Sequence, residues 1–217
     1  MTIKIGVIGA TGMAGSAITE DAVKRGFDVT AIVRNIKKAE DEFGDQIHYF
    51  EKDAFTLTYD EIKDFDVVVD AFAPSDKNLA DKHIVLATNL MKMVQGDDKP
   101  RLGFILGASS LNIGNGKQLL DRLMEMPDAD DWIATPKAQF EEYRMLLHSN
   151  GVNWFAVSPS STFEAGELTD YTIGANDLLK NKNGKSIVYS KTLAKVFVDE
   201  IETPKHINER FTVVSEI

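Results

Sequence analysis

Three glycines at the spacing Gly9-x-x-Gly12-x-x-Gly15 carry the first readable chemistry of this chain. Backbone without side chains can close around a phosphate, and each glycine has its own reason to be there. Gly9 lets the chain turn out of a strand, Gly12 admits a pyrophosphate close to the backbone, and Gly15 lets the following helix pack on that strand. Thr11 and Met13 complete the loop. The apolar run Ile3 to Ile8 before it reads as a strand buried on both faces. Ala14, Ala17 and Ile18 after it read as the sheet-facing side of a helix, whose free N–H groups and dipole would face the phosphates. The strand–turn–helix context favours a dinucleotide site over a merely tight turn.

Other candidates fall where strands should end, because ligands of open parallel sheets bind beyond the carboxyl ends of the strands. Asp28 to Val33 reads as the second strand. Where an NAD-selective site places an acid, about 20 residues past the glycines, the chain has Arg34, with Asn35, Lys37 and Lys38 beside it. A guanidinium suits a 2′-phosphate, so NADP(H) is favoured over NAD(H); a solvated helix start is the alternative. Asp53 and Ala54 follow a third strand, Ile47 to Lys52, and Asp53 could equally be an ordinary turn cap. Ala71, Phe72 and Ala73 leave a fourth strand, Asp66 to Asp70. Gly107-Ala108-Ser109-Ser110 leaves a fifth, Leu102 to Leu106, and offers a hydroxyl to the cleft unless the serines bond their own backbone. Ser158 ends a sixth strand, Val152 to Val157.

The elements that must position these residues follow from patterning. Arg25-Gly26 reads as the stop of the first helix, and Tyr59 to Lys63 as a short one. Ala80, Ile84, Ala87, Met91 and Val94 mark a core-facing helix. Leu86, Leu90 and Met93 widen its stripe, suggesting burial on more than one side, against the sheet and against a second subunit. Asn112 to Trp132 is long enough to cover a substrate cleft. Thr135-Pro136 opens a helix with Phe140, Tyr143 and Leu147 on its apolar side and Lys137, Glu141 and Arg144 in a polar stripe. Asn181 to Gly184 signals a small hairpin. A helix over 192–202 and a strand over 211–214 finish the chain. Strands alternating with helices, without a composition break or repeat, imply one α/β domain over 1–217: a doubly wound Rossmann-type fold with a parallel sheet and a small substrate-side portion from about 158.

Composition closes off several functions. The 217 residues, 43% hydrophobic, suffice for a proper core, and the formal net charge of −10 argues against nucleic acid and anionic membrane as partners. No cysteine is present, which excludes disulfides, thiolate metal sites and a cysteine nucleophile. The four histidines are scattered without ligand spacing, so no metal is expected and they read as surface or satisfied residues. The N-terminal apolar run is short and broken by glycine, unlike a signal peptide or membrane span, and a cytoplasmic protein is expected.

Taken together, these motifs resemble an atypical member of the short-chain dehydrogenase/reductase superfamily. The likeness is to its small NAD(P)H-binding, NADH-flavin reductase-like proteins, related in turn to NmrA-like regulators. The pieces that carry it are Gly9–Gly15, Val33-Arg34-Asn35, the Asp53 corner, Ala108-Ser109-Ser110-Leu111, Lys137-Ala138-x-x-Glu141, Ser158-Pro159, Val198-Asp199-Glu200 and Phe211-Thr-Val. The resemblance implies that Ser110, with Ser109 close behind, is the family's serine, and that Lys137 is its lysine, holding the nicotinamide ribose. It also implies a homodimer. Orthodox members place a tyrosine four residues before the lysine; here that position is Ile133, which cannot donate a proton. The expectation is therefore an NADPH-dependent oxidoreductase passing hydride to a flavin or quinone. A non-catalytic NADP(H) sensor and a nucleotide-sugar epimerase or dehydratase are the alternatives.

Overall fold

The computed structural model describes residues 2–74 and 76–217. In chain order the elements are β1 (Lys4–Ile8), α1 (Met13–Lys24), β2 (Asp28–Val33), α2 (Ile36–Phe43), β3 (His48–Glu51), α3 (Tyr59–Ile62), β4 (Val67–Asp70), α4 (Lys82–Val94) and β5 (Arg101–Ile105). Then come β6 (Asn112–Gly114), β7 (Lys117–Gln118), α5 (Leu119–Met124), α6 (Ala134–Leu147), β8 (Trp154–Ser158), β9 (Thr162–Glu164), β10 (Asp170–Gly174), β11 (Ile187–Tyr189), α7 (Ser190–Glu202) and β12 (Glu209–Glu216).

Eight strands form the main sheet in the order β10-β12-β8-β5-β4-β1-β2-β3, parallel throughout except for β10, which runs antiparallel to β12. The strand order reverses between β1 and β4, which sets the topological switch point of a doubly wound fold there. The sheet is covered on both faces, which is why β1, β4 and β8 read as continuous apolar runs. On one face α1 and α7 bury Ile18, Leu193 and Phe197. On the other α4 and α6 bury Leu86, Leu90 and Leu146 against Phe104 and Trp154. Arg25 ends α1 and Gly26 follows at φ +77°, the left-handed stop that the sequence signals.

One expected element is absent in the form read from the sequence. Asn181 to Gly184 does turn, with the Gly184 amide donating to the Asn181 carbonyl at 2.8 Å. It does not close a hairpin, because the flanking strands pair elsewhere: β10 with β12, and β11 in parallel with β9. Asn181 instead donates its side-chain amide to Ser215 at 3.0 Å, tying the turn to the main sheet.

Candidate functional site

A cleft of about 920 Å³ opens across the carboxyl ends of β1, β2, β4 and β5. That is near the top of the usual range for small-molecule sites, about 300–1,000 Å³. The glycine loop forms its floor, and the three glycines do separate work. Gly9 holds φ +74°, and a Cβ there would lie 2.6 Å from the Ala71 carbonyl oxygen, so the exits of β1 and β4 touch at this residue. A Cβ on Gly15 would sit 2.2 Å from the Gly9 oxygen, which fixes Gly15 as the point of contact between α1 and the loop. Gly12 is different: its Cβ would meet only the Gly9 oxygen, at 3.2 Å, and the residue lines the cleft. Gly12 is the N-cap of α1 with no side-chain cap, and the first turn of α1 carries no acid. The N–H groups and dipole of that turn are left to the cleft.

Beyond β2 and β3 the lining is cationic. Arg34 is exposed on the rim. Asn35 caps α2 by accepting the Lys38 amide at 3.1 Å, and Lys38 in turn donates its Nζ to the Thr11 carbonyl at 3.1 Å. Lys38 thereby joins the end of β2 to the glycine loop. Asp53 serves both roles read from the sequence: it lines the cleft beside Ala54, and it accepts the Phe55 amide at 3.1 Å as a cap. Lys82 lies over the Phe55 ring at 4.4 Å, and Lys52 is ion-paired with Glu61 at 2.7 Å.

At the other end the lining turns apolar. Ala71, Phe72 and Ala73 form one wall. Leu119 and Leu123 on α5, Pro136 on α6, and Pro159 and Phe163 after β8 form the opposite one. The hydroxyls here are already committed. Ser109 donates to the Pro136 carbonyl at 2.8 Å, Ser160 to Val213 at 2.8 Å and Ser161 to Ser186 at 2.9 Å. Of the segment expected to cover the cleft, Leu119, Arg122 and Leu123 line it, and α5 is fastened to the turn that follows β5. Leu119 and Leu120 donate their amides to the Leu111 and Ser109 carbonyls, both at 2.8 Å.

Four expected site residues do not line this cleft. Ser110 and Ser158 are buried behind it, each accepting a bond of 3.0 Å from Arg210. That guanidinium also bonds the Asn176 side chain at 2.8 Å and lies over the Tyr143 ring at 4.3 Å. The serines are spent on a buried cation that forms no ion pair among the described residues, and desolvation pushes the Arg210 pKa down. Lys137 is exposed and lines no part of the cleft, and Ile133 is buried in the α6 N-cap. The helix presents Pro136 and Gln139 instead, with the Gln139 side chain against Gly107, where a Cβ would meet its Oε1 at 2.2 Å. Gly15 also lies outside the lining, acting through contact with Gly9.

A family model described as NAD(P)H-binding matches residues 9–204. The chain belongs to the NAD(P)H-binding family. An uncharacterised protein of Bacillus subtilis, YwnB, is 38% identical over 219 residues, covering 99% of each chain. A Streptococcus pneumoniae structure, named "a putative NADH-flavin reductase", superposes with TM-score 0.89 at 34% identity, over 99% of this chain and 100% of that one. A Bacteroides thetaiotaomicron structure, named as a "putative epimerase", gives TM-score 0.88 at 31% identity, over 100% and 99% of the two chains.

The residues present fit the nicotinamide dinucleotide that this NAD(P)H-binding family takes. The glycine floor is open at Gly12 and uncapped at α1, as a pyrophosphate needs. Lys38, which the sequence offers as positive charge beside Arg34, does line the cleft. Phe55, Lys82, Arg122, Gln139 and Phe163 line it as well, and the sequence did not single them out. Among the described residues no group of three or more His, Asp or Glu is placed to hold a metal, and no helix is long and apolar enough to cross a membrane.

One polar cluster stands behind the Phe72 wall. Asp70 ends β4 fully buried, and burial pushes its carboxyl up to about 7. Glu142 of α6 is buried too; desolvation and the nearby Asp70 raise it well above the usual range. His83 of α4, expected to be exposed or satisfied, is buried, its pKa lowered by desolvation to about 4. Its Nε2 finds no partner among the described residues, and its ring packs edge-on to Phe72 with centroids 5.8 Å apart.

Proposed function

We propose that the protein is an NADPH-dependent reductase whose acceptor is a flavin or a quinone. The carrying observation is the acceptor end of the cleft, where the lining hydroxyls of the described residues are all committed as donors. Ser109, Ser160 and Ser161 donate to carbonyls, and α6 offers only Pro136 and Gln139. An acceptor reduced there must spread the arriving charge itself and take its proton from water, as a flavin or quinone ring does. A bound reduced nicotinamide supplies the hydride. The chain's own contribution is orientation of the ring: Phe72 on one side, Leu119, Leu123, Pro136 and Phe163 on the other. Arg34 and Lys38 supply the positive charge that favours a 2′-phosphate, which is the basis for naming NADPH over NADH. The name of the pneumococcal relative supports the general kind of reaction. An epimerase reading is disfavoured because the cleft offers no tyrosine to move a proton.

The test is anaerobic mixing of the protein with NADPH and a panel of flavins and quinones, following loss of reduced cofactor. Turnover of at least one acceptor class is expected. Tight cofactor binding with no acceptor reduced would overturn the reductase and leave a cofactor-binding protein that signals rather than catalyses.

A further inference from the structure

We infer that the acceptor carries an anionic tail, and that Arg122 on the cover is the residue that selects it. The inference rests on the reductase reading and names the substrate class more narrowly: flavin mononucleotide, with its phosphate monoester, over riboflavin.

Five cations and one carboxylate line the cleft in a chain of net charge −10. Asp53, the carboxylate, is occupied by the Phe55 amide, and Lys52 is neutralised by Glu61. Lys82 lies over the Phe55 ring, which packs edge-on to Phe72 with centroids 5.4 Å apart on the wall facing α5, whereas Arg34 and Lys38 stand beside the glycine loop and belong to the cofactor's end. Arg122 does not. It shares α5 with Leu119 and Leu123, one helical turn apart, on the face turned to the cleft.

Its neighbours make it available. The two acids nearest in sequence are already engaged: Asp121 accepts the Gln118 amide at 2.7 Å in the cap of α5, and Glu125 pairs with Lys117 at 3.1 Å. Arg122 makes no ion pair among the described residues. Its helix is held in place by the Leu119 and Leu120 amide bonds and by Gln118 donating to the Ser110 carbonyl at 3.3 Å. An unpaired guanidinium on a fixed support, at the edge of an apolar slot, matches a ligand whose ring is apolar and whose tail is a phosphate. The guanidinium fork donates two bonds to two phosphate oxygens. A neutral quinone or riboflavin would leave it unused.

The test is equilibrium titration of protein saturated with NADP⁺, using the fluorescence of riboflavin and of flavin mononucleotide. Wild type should bind the mononucleotide about tenfold more tightly than riboflavin, as a partly solvated charge-assisted pair provides. In Arg122→Gln the ratio should fall to about one. Lys92→Gln makes the same change in net charge on the last turn of α4 and should keep the wild-type ratio. Equal binding of the two flavins by wild type, or an unchanged ratio in Arg122→Gln, would overturn the inference. Because the readout is binding, a preference without any turnover would sink the reductase and leave the anionic ligand standing.

Discussion

The amide of Phe72 donates to Oδ1 of Asp70 at 3.0 Å, so the wall of the cleft is held by a carboxyl buried directly behind it. Because burial raises the Asp70 pKa from its ordinary value to about 7, the folded protein keeps this proton where the unfolded chain has lost it. That contribution to stability is complete below the unfolded value, near 4, and is lost as pH rises through about 7. Glu142 acts in the same direction, whereas His83, held neutral by burial, gains stability between about 4 and 6.5. Asp70→Asn keeps an acceptor for Phe72 and removes the titration. Thermal melts of both proteins between pH 5 and 8 (roughly the span in which a raised carboxyl and a histidine titrate) should show the variant gaining on wild type as pH rises. The gain should be on the order of 1–3 kcal/mol at the alkaline end. Parallel curves would show that Asp70 ionises without cost.

Substitutions at Gly12 and Gly15 should separate. Gly15→Ala puts a methyl 2.2 Å from a backbone oxygen and should cost several kcal/mol of stability, roughly the upper range for a core clash. Gly12→Val meets one oxygen at 3.2 Å and otherwise projects into the cleft. It should fold and lose NADPH binding. Melting and cofactor titration of both variants check this, and full affinity in a folded Gly12→Val would remove the phosphate site from this loop.

Arg34→Ala should weaken NADPH by about 10- to 150-fold, the usual worth of a charge-assisted bond, and leave NADH nearly unchanged. The lower end is expected, because Lys38 stands beside the same loop. Paired NADPH and NADH titrations at fixed salt decide it. Equal losses for both cofactors would make Arg34 a structural residue and end the NADPH preference.

Ser109 and Ser110 should respond in different assays. Ser110→Ala takes one acceptor from the buried Arg210 guanidinium and should cost about 1–3 kcal/mol of stability, with flavin KM little changed. Ser109→Ala frees the Pro136 carbonyl at the cleft surface and should alter acceptor KM more than melting temperature. The reverse pattern in melts and steady-state kinetics would place Ser110 at the reacting end.

Which features were legible in the sequence follows from the range of the interactions that set them. The glycine loop, the Gly26 stop and the six parallel strands β1 to β5 and β8 are specified by residues within a few positions of each other, and they stand where the patterning puts them. The serine pair was ambiguous because it lies past the end of β5, where strand alternation no longer assigns faces. A turn there, Leu111 amide to Ala108 carbonyl at 2.9 Å, directs Ser109 to the cleft and Ser110 to Arg210, exactly 100 positions away in sequence. Lys137 and Gln139 lie on one helix, and its rotation is set by packing on α4 and the sheet, not by its own sequence. The Asn181 turn was readable as a turn, but its strand partners are long-range and carry no local signal.

The position of β12 has a consequence for how the chain reaches this state. It lies between β8 and β10, and is the last strand in the sequence. During synthesis the first five parallel strands can assemble while the ribosome is still working, since each pairs with neighbours already made. The outer strand β10 then has no partner, and β8 keeps a bare apolar edge, until residues 209–216 arrive. A nascent chain released before that point would expose an unpaired sheet edge, a template for self-association.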